Sequence, residues 1–285
     1  MGHGDYSADV RCLRATSKGY YTKSATEIFT QKQINNAMSP HGVVLRESRD
    51  SEEHPNSLAI VLALDVTGSM GSIPHHLVKD GLPTIVDKII KKGIKDPQIL
   101  FLGVGDHECD RSPLQVSQFE SSDELLDKWL TSIYLEGGGG GNEGESYLLA
   151  WYFAGHRTSI DCFEKRKQKG FLFTIGDEPC LDSVPQHSIK NIMGKGQYED
   201  FSANSLLEKA REKYDVYHIH VRETSSGSRK HVMDGWKQLI SDNLIIANRH
   251  EEIPELIAST IIKNSSDQVV ADQKKKPSEK IEIIL

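Results

Sequence analysis

The chain is poor in the residues that would tie it to several large classes of protein. Its four cysteines, Cys12, Cys109, Cys162 and Cys180, include no Cys-x-x-Cys pair, which excludes a zinc ribbon or a thioredoxin-type redox motif and points to reduced thiols. It lacks a basic excess. Lys and Arg number 34 against 41 Asp and Glu, for a formal net charge of -7, so a phosphate-binding surface and a nucleic-acid partner are not expected. No apolar run approaches the roughly 20 residues that span a bilayer. Residues 1–6, Met-Gly-His-Gly-Asp-Tyr, lack the basic and apolar regions of a signal peptide. These absences lead us to expect a cytoplasmic protein without a membrane span. The one long glycine run, 137–141, leads into Asn142 and Glu143, whereas a nucleotide-binding loop needs Gly-Lys-Ser/Thr there.

What the chain does have is a stretch at residues 58–71 that begins apolar and ends polar. Leu58-Ala-Ile-Val-Leu-Ala-Leu64 reads as a strand buried on both faces of a parallel sheet. It stops in Asp65-Val-Thr67-Gly-Ser69-Met-Gly71. Asp65, Thr67 and Ser69 stand at alternate positions, so in an extended turn their oxygens can converge on one hard cation such as Mg2+. Turning the chain and capping the next helix would need one such residue, not three in register.

From residue 57 onward, strand and helix patterns alternate. Strands are expected at 98–105, 169–176, 216–221 and 244–247, with a half-exposed edge strand at 114–119, where apolar and polar residues alternate. Helices are expected at about 74–92, after Ser121-Ser-Asp-Glu124, through 147–153, and at about 184–193, 204–213, 230–241 and 253–263. The predicted architecture is α/β. It is a doubly wound, mostly parallel six-stranded sheet with one antiparallel edge strand and helices on both faces. Residues 57–264 form this domain. Residues 1–56 precede it as an extension with one short helix, starting at Ser24-Ala-Thr-Glu27, and a charged solvated linker at 46–55. Residues 265–285 are expected to be a flexible tail, with the apolar tip Ile281-Glu-Ile-Ile-Leu285 as a candidate docking peptide.

Three strand ends then share one rim: 65–69, 106–110 and 176–178. The pattern Asp65-x-Thr67-x-Ser69 resembles the metal-ion-dependent adhesion site of von Willebrand factor A domains. The apolar strand ending in Asp177 resembles that family's third metal loop. Asn142 stands where the family commonly has a Thr after a short glycine run. An amide carbonyl serves a hard cation much as a hydroxyl does, and Glu143 is the neighbouring alternative. Gly105-Asp106-His107 and Ile175-Gly-Asp-x-Pro179 also resemble the von Willebrand A domains found beside alpha-type kinases. No kinase motif accompanies them.

The resemblance implies a Rossmann-like fold with Mg2+ at Asp65, Thr67, Ser69, Asn142 and Asp177, and Mn2+ or Ca2+ as alternatives. It further implies a protein-binding module in which a partner's Asp or Glu completes the metal, with a large assembly such as an AAA+ ATPase as the kind of partner. Two other readings stay open. One is metal-assisted hydrolysis, for which His75, His76, His107 or Glu143 would have to act as base. The other is a scaffold whose metal site is vacant. His218 and His220 alternate on one strand and are expected to pack against helices. Cys180, beside the third loop, is most simply a small semi-buried residue.

Overall fold

The computed structural model describes residues 6–70, 72–137 and 142–275, with the side chains of residues 8, 69 and 266–275 outside that set. Six strands form the central sheet: β1 (Leu58–Asp65), β2 (Pro97–Val104), β3 (Leu114–Val116), β4 (Gly170–Gly176), β5 (Tyr214–Val221) and β6 (Leu244–Ala247). Their spatial order is β6-β5-β4-β1-β2-β3. Every pairing is parallel except β2 with β3, where Leu102 faces Val116 in antiparallel register. The expected mixed sheet with one antiparallel edge strand is therefore what the chain forms.

All residues of β1, β2 and β4 are buried. Strands covered on both faces cannot alternate apolar with polar, which is why these three read as continuous apolar runs. Each buried Val, Leu or Ile contributes about 1.5–3 kcal/mol relative to exposure. The chain leaves β1 toward β2 on one side and later returns to β4 on the other. This reversal opens a crevice between the carboxyl ends of β1 and β4, the place where open α/β sheets bind ligands.

The principal helices are α1 (Ala8–Ser17), α2 (Leu82–Lys91), α3 (Asp123–Thr131), α4 (Leu148–His156), α5 (Gln186–Met193), α6 (Ala203–Arg211), α7 (Lys230–Ile240) and α8 (Ile253–Lys275). Helix α2 packs against α8 and α1, and α4 packs against α6. The helix expected at 74–92 is three segments end to end. Ser72–His76 is α-helical, Leu77–Gly81 makes a π-turn, and α2 follows. Pro83, in the first turn of α2, has no N–H to give, and a Cβ on Gly81 would meet Leu77 at 2.9 Å and Pro254 of α8 at 3.0 Å. The last helix reaches Lys275, beyond the 264 boundary expected for the domain.

Residues 1–56 depart furthest from expectation. The helix expected after Ser24 is four residues long, Ala25–Ile28, and a separate 3-10 turn covers Asn36–Met38. Helix α1 was not anticipated, because its buried side is Arg11 and Ala15 while Val10 and Leu13 are exposed. The charged stretch after residue 45 is packed, not solvated. Arg46–Ser48 pairs in parallel with Thr158–Ile160. Arg49 binds Asp161 at 2.8 Å, and Asp50 binds Arg166 at 2.6 Å and the Ser57 hydroxyl at 2.7 Å. Mixed charges lose their preference for water when each meets an opposite charge and further hydrogen bonds.

Candidate metal centre at the sheet rim

Asp65 ends β1 with 0% exposure. Its Oδ1 accepts from the Thr67 backbone N–H at 2.9 Å and the Thr67 hydroxyl at 2.6 Å. Its Oδ2 accepts from the Tyr147 hydroxyl at 2.7 Å. The alternation read from sequence thus becomes an Asx-type turn in which Thr67 folds back on the acid. Ser69 falls in the 3-10 turn Gly68–Met70, and its side chain lies outside the described set.

Asp177 directly follows β4, also with 0% exposure. Register pairs Leu64 of β1 with Ile175 of β4, so the two acids leave adjacent strands at the crevice. Asp106, just beyond β2, is buried. Its Oδ1 accepts from the Glu108 N–H at 2.9 Å, and its Oδ2 has no hydrogen-bond partner among the described residues.

The tripeptide Glu145-Ser146-Tyr147 links all three rim loops. Glu145 N–H donates to Pro179 O at 2.8 Å and Glu145 O accepts from Leu181 at 3.0 Å, which fastens it to the loop after β4. Ser146 N–H donates to Gly105 O at 3.1 Å, and the Ser146 hydroxyl accepts from the His107 N–H at 2.8 Å, which fastens it to the loop after β2. Tyr147 completes the set on Asp65 of β1. Glu145 is buried, and its Oε2 has no hydrogen-bond partner among the described residues. A donor-rich protein site would have placed an Arg or Lys against such an oxygen.

Electrostatics follow from this crowding. Burial, then repulsion from Asp177, holds the Asp65 carboxyl above its ordinary range, against the Thr67 and Tyr147 hydrogen bonds that favour the carboxylate. Burial, then the charges of Asp65, Asp110, Asp106 and Glu178, drives Glu145 upward. Burial and like charge disfavour both carboxylates, and a bound cation would offset both effects.

Asn142 is exposed, and its amide donates to Glu108 at 2.7 Å. Glu143 is exposed and lies 3.5 Å from Arg229. Glycines 138–141 lie outside the described residues. Of the other candidate bases, His75 Nε2 sits 2.9 Å from Lys23 O and His76 stands edge-on to His250. Only His107 borders the rim, with Nδ1 2.7 Å from the Ser146 hydroxyl, and burial lowers its basicity. Cys180 is half-buried and desolvation holds its thiol up, hence protonated.

His218 and His220 are on an inner strand, since β6 lies outside β5. Both are fully buried. His218 stacks on Trp236 with centroids 3.3 Å apart, Tyr147 meets each of them edge-on at 5.3 Å, and Trp236 donates to Glu178 O at 2.9 Å. This aromatic group supports the rim from beneath. Sequence reading missed Glu145 and Tyr147 as rim residues. The signal was a Glu and a Tyr two residues apart at the entry to an apolar helix, which by itself looks like a solvated acid and a core aromatic.

No family model matches the chain, and no curated protein sequence matches it. Among solved structures it is similar to the pilus adhesin SpaC from Lactobacillus rhamnosus GG in its open conformation, at 12% identity and a TM-score of 0.49 over 77% of this chain and 31% of the adhesin. It is similar to the vWF domain of the type V pili tip protein Mfa5 from Porphyromonas gingivalis, at 8% identity and 0.47, over 80% of this chain and 97% of that one. A von Willebrand factor type A from Catenulispora acidiphila aligns at 9% identity and 0.43, over 80% and 51%. The chain thus matches about a third of the adhesin's length and half of the Catenulispora chain. The chemistry of the rim rests on its own geometry.

Proposed function

We propose that the chain is a divalent-cation-dependent protein-binding module, with Mg2+ held at the rim and a partner's carboxylate recognised through it. One observation carries this reading. Two fully buried acids, Asp65 and Asp177, leave adjacent strands at the crevice, in a rim where Asp106 and Glu145 each keep a buried carboxylate oxygen without a hydrogen-bond partner among the described residues. The donors are all oxygen, which suits a hard cation and not a softer metal. Asp65, Thr67, Ser69 and Asp177 would hold the ion directly or through its waters, with Asn142 as the candidate from the glycine-rich loop. Asp106 and Glu145 add negative charge around it.

The ion would supply neutralising charge and an open position. A partner's Asp or Glu entering that position makes a charge-assisted contact of defined reach, which yields specificity from a small site. The resemblance noted in the sequence makes an intracellular adaptor for a large assembly the corresponding biological role.

The test is capture of partners by the immobilised chain from lysate of its own cells, in Mg2+ and in EDTA, with D65A and T67A as controls. Partners retained in Mg2+ and lost in EDTA and in both variants support the proposal. Equal capture in all four conditions overturns it.

A further inference from the structure

At the opposite end of the sheet from the acidic rim, where β1 and β2 begin, lies a second constellation of chemically capable side chains. His54 precedes β1, Asp96 precedes β2, and Ser121 follows the bridge between Ile99 and Glu120. His54 Nε2 is 3.2 Å from the Ser121 hydroxyl oxygen, and His54 Nδ1 is 3.4 Å from Asp96 Oδ1. All three residues are at least nine-tenths buried. They line one cleft of about 440 Å3 together with Tyr6, Glu53, Ile90, Lys95 and Pro97.

The arrangement is ordered by its surroundings. Asp96 Oδ2 accepts the Asn56 N–H at 3.0 Å, which leaves Oδ1 for the imidazole. The His54 backbone is pinned at both ends, its N–H on the Ser51 hydroxyl and its carbonyl on the Ser51 N–H, each at 3.0 Å. In the tautomer that carries its proton on Nδ1, toward Asp96, Nε2 faces the Ser121 hydroxyl with its lone pair. The Tyr6 hydroxyl, also on the cleft, is buried and has no hydrogen-bond partner among the described residues. Burial holds it strongly in the protonated, donor form. A hydroxyl nucleophile, an imidazole base, a carboxylate that orients the base and a spare O–H donor are the parts an acyl-transfer site requires.

We propose that this cleft hydrolyses small carboxylic esters, with Ser121 as nucleophile, His54 as general base and acid, and Asp96 as the positioning residue. The cleft's size falls in the range of small-molecule sites, and Tyr6, Ile90 and Pro97 offer it apolar surface. Ser121 Oγ attacks the ester carbonyl carbon while its proton passes to His54 Nε2. The negative charge that forms on the carbonyl oxygen is met by the Tyr6 O–H. The tetrahedral species then expels the alcohol, which takes the proton from Nε2. Water next attacks the acyl-Ser121 ester and gives its proton to Nε2. The Ser121 oxygen leaves and recovers that proton, releasing the carboxylic acid.

The experiment uses the full chain with p-nitrophenyl acetate and, separately, a fluorophosphonate probe read by peptide mass spectrometry. The wild type turns over the ester in EDTA as well as in Mg2+, which separates this site from the rim, and the probe labels Ser121. Turnover falls at least about 100-fold in S121A, measured on protein that circular dichroism shows to be folded. D96N lowers kcat with KM retained, as loss of the correct imidazole tautomer requires. Absence of wild-type turnover above the buffer rate, labelling elsewhere than Ser121, or equal turnover in S121A overturns the proposal.

Discussion

The Tyr147 hydroxyl reaches the Asp65 carboxylate at 2.7 Å through space that only a glycine at position 176 leaves open, since a Cβ there would lie 1.9 Å from the hydroxyl oxygen. Removing the donor, in Y147F, leaves a buried carboxylate oxygen unsatisfied and costs about 1–3 kcal/mol. G176A displaces the whole ring and costs more, because Tyr147 also packs edge-on against His218 and Trp236. Denaturant unfolding in EDTA checks both. A G176A variant as stable as the wild type would show that the ring can move freely.

Arg11 is fully buried and hydrogen-bonds to Asp127 and to the carbonyl of Val78 in the π-turn, with Asp123 at 3.6 Å. Replacing it in R11M leaves two buried acids with less compensation, a loss of about 3–5 kcal/mol. Lys18 at 2.6 Å and the Tyr20 hydroxyl at 3.1 Å still hold Asp127. The same change made in a D127N background is expected to cost less, and the double-mutant cycle measures the coupling. A null cycle would mean that α1 is held by its packing alone.

Asp161 is expected to contribute to the acid limb of stability. Burial alone would raise its carboxyl, but the Lys165 ammonium, the Asp50 N–H and the Arg49 guanidinium outweigh burial and bring it down to about 2. The unfolded chain titrates an Asp near 3.9. The folded carboxyl lies below that value, so its contribution is present above about pH 4 and is lost as pH falls toward 2. D161N is expected to flatten the decline in melting temperature over that interval. An unchanged acid limb would assign it to other carboxylates.

The sheet was readable in the chain because the strands buried on both faces announce themselves as apolar runs, and the edge strand at Leu114–Val116 as alternation. The rim positions of Asp65, Thr67 and Asp177 were readable for a related reason, since each stands at a point where an apolar run breaks into polar residues. Glu145 was not. Its burial comes from backbone bonds to Pro179 and Leu181, partners that no local spacing reveals. Helix α1 was hidden because an arginine occupies its core-facing position, so its pattern lacks the apolar stripe by which helices are recognised. Arg49 and Asp50 looked solvated because their partners, Asp161 and Arg166, are more than one hundred residues away.

Calorimetric unfolding with and without the ion tests whether the rim holds Mg2+. An ion that binds only the folded state stabilises it by about 2.7 kcal/mol when present at one hundred times its Kd. The wild-type melting temperature is expected to rise by several degrees as Mg2+ replaces EDTA, with no rise in D65A or D177A. A wild-type melting temperature that is the same in both buffers, or a rise that survives in both variants, would contradict Mg2+ binding at the rim.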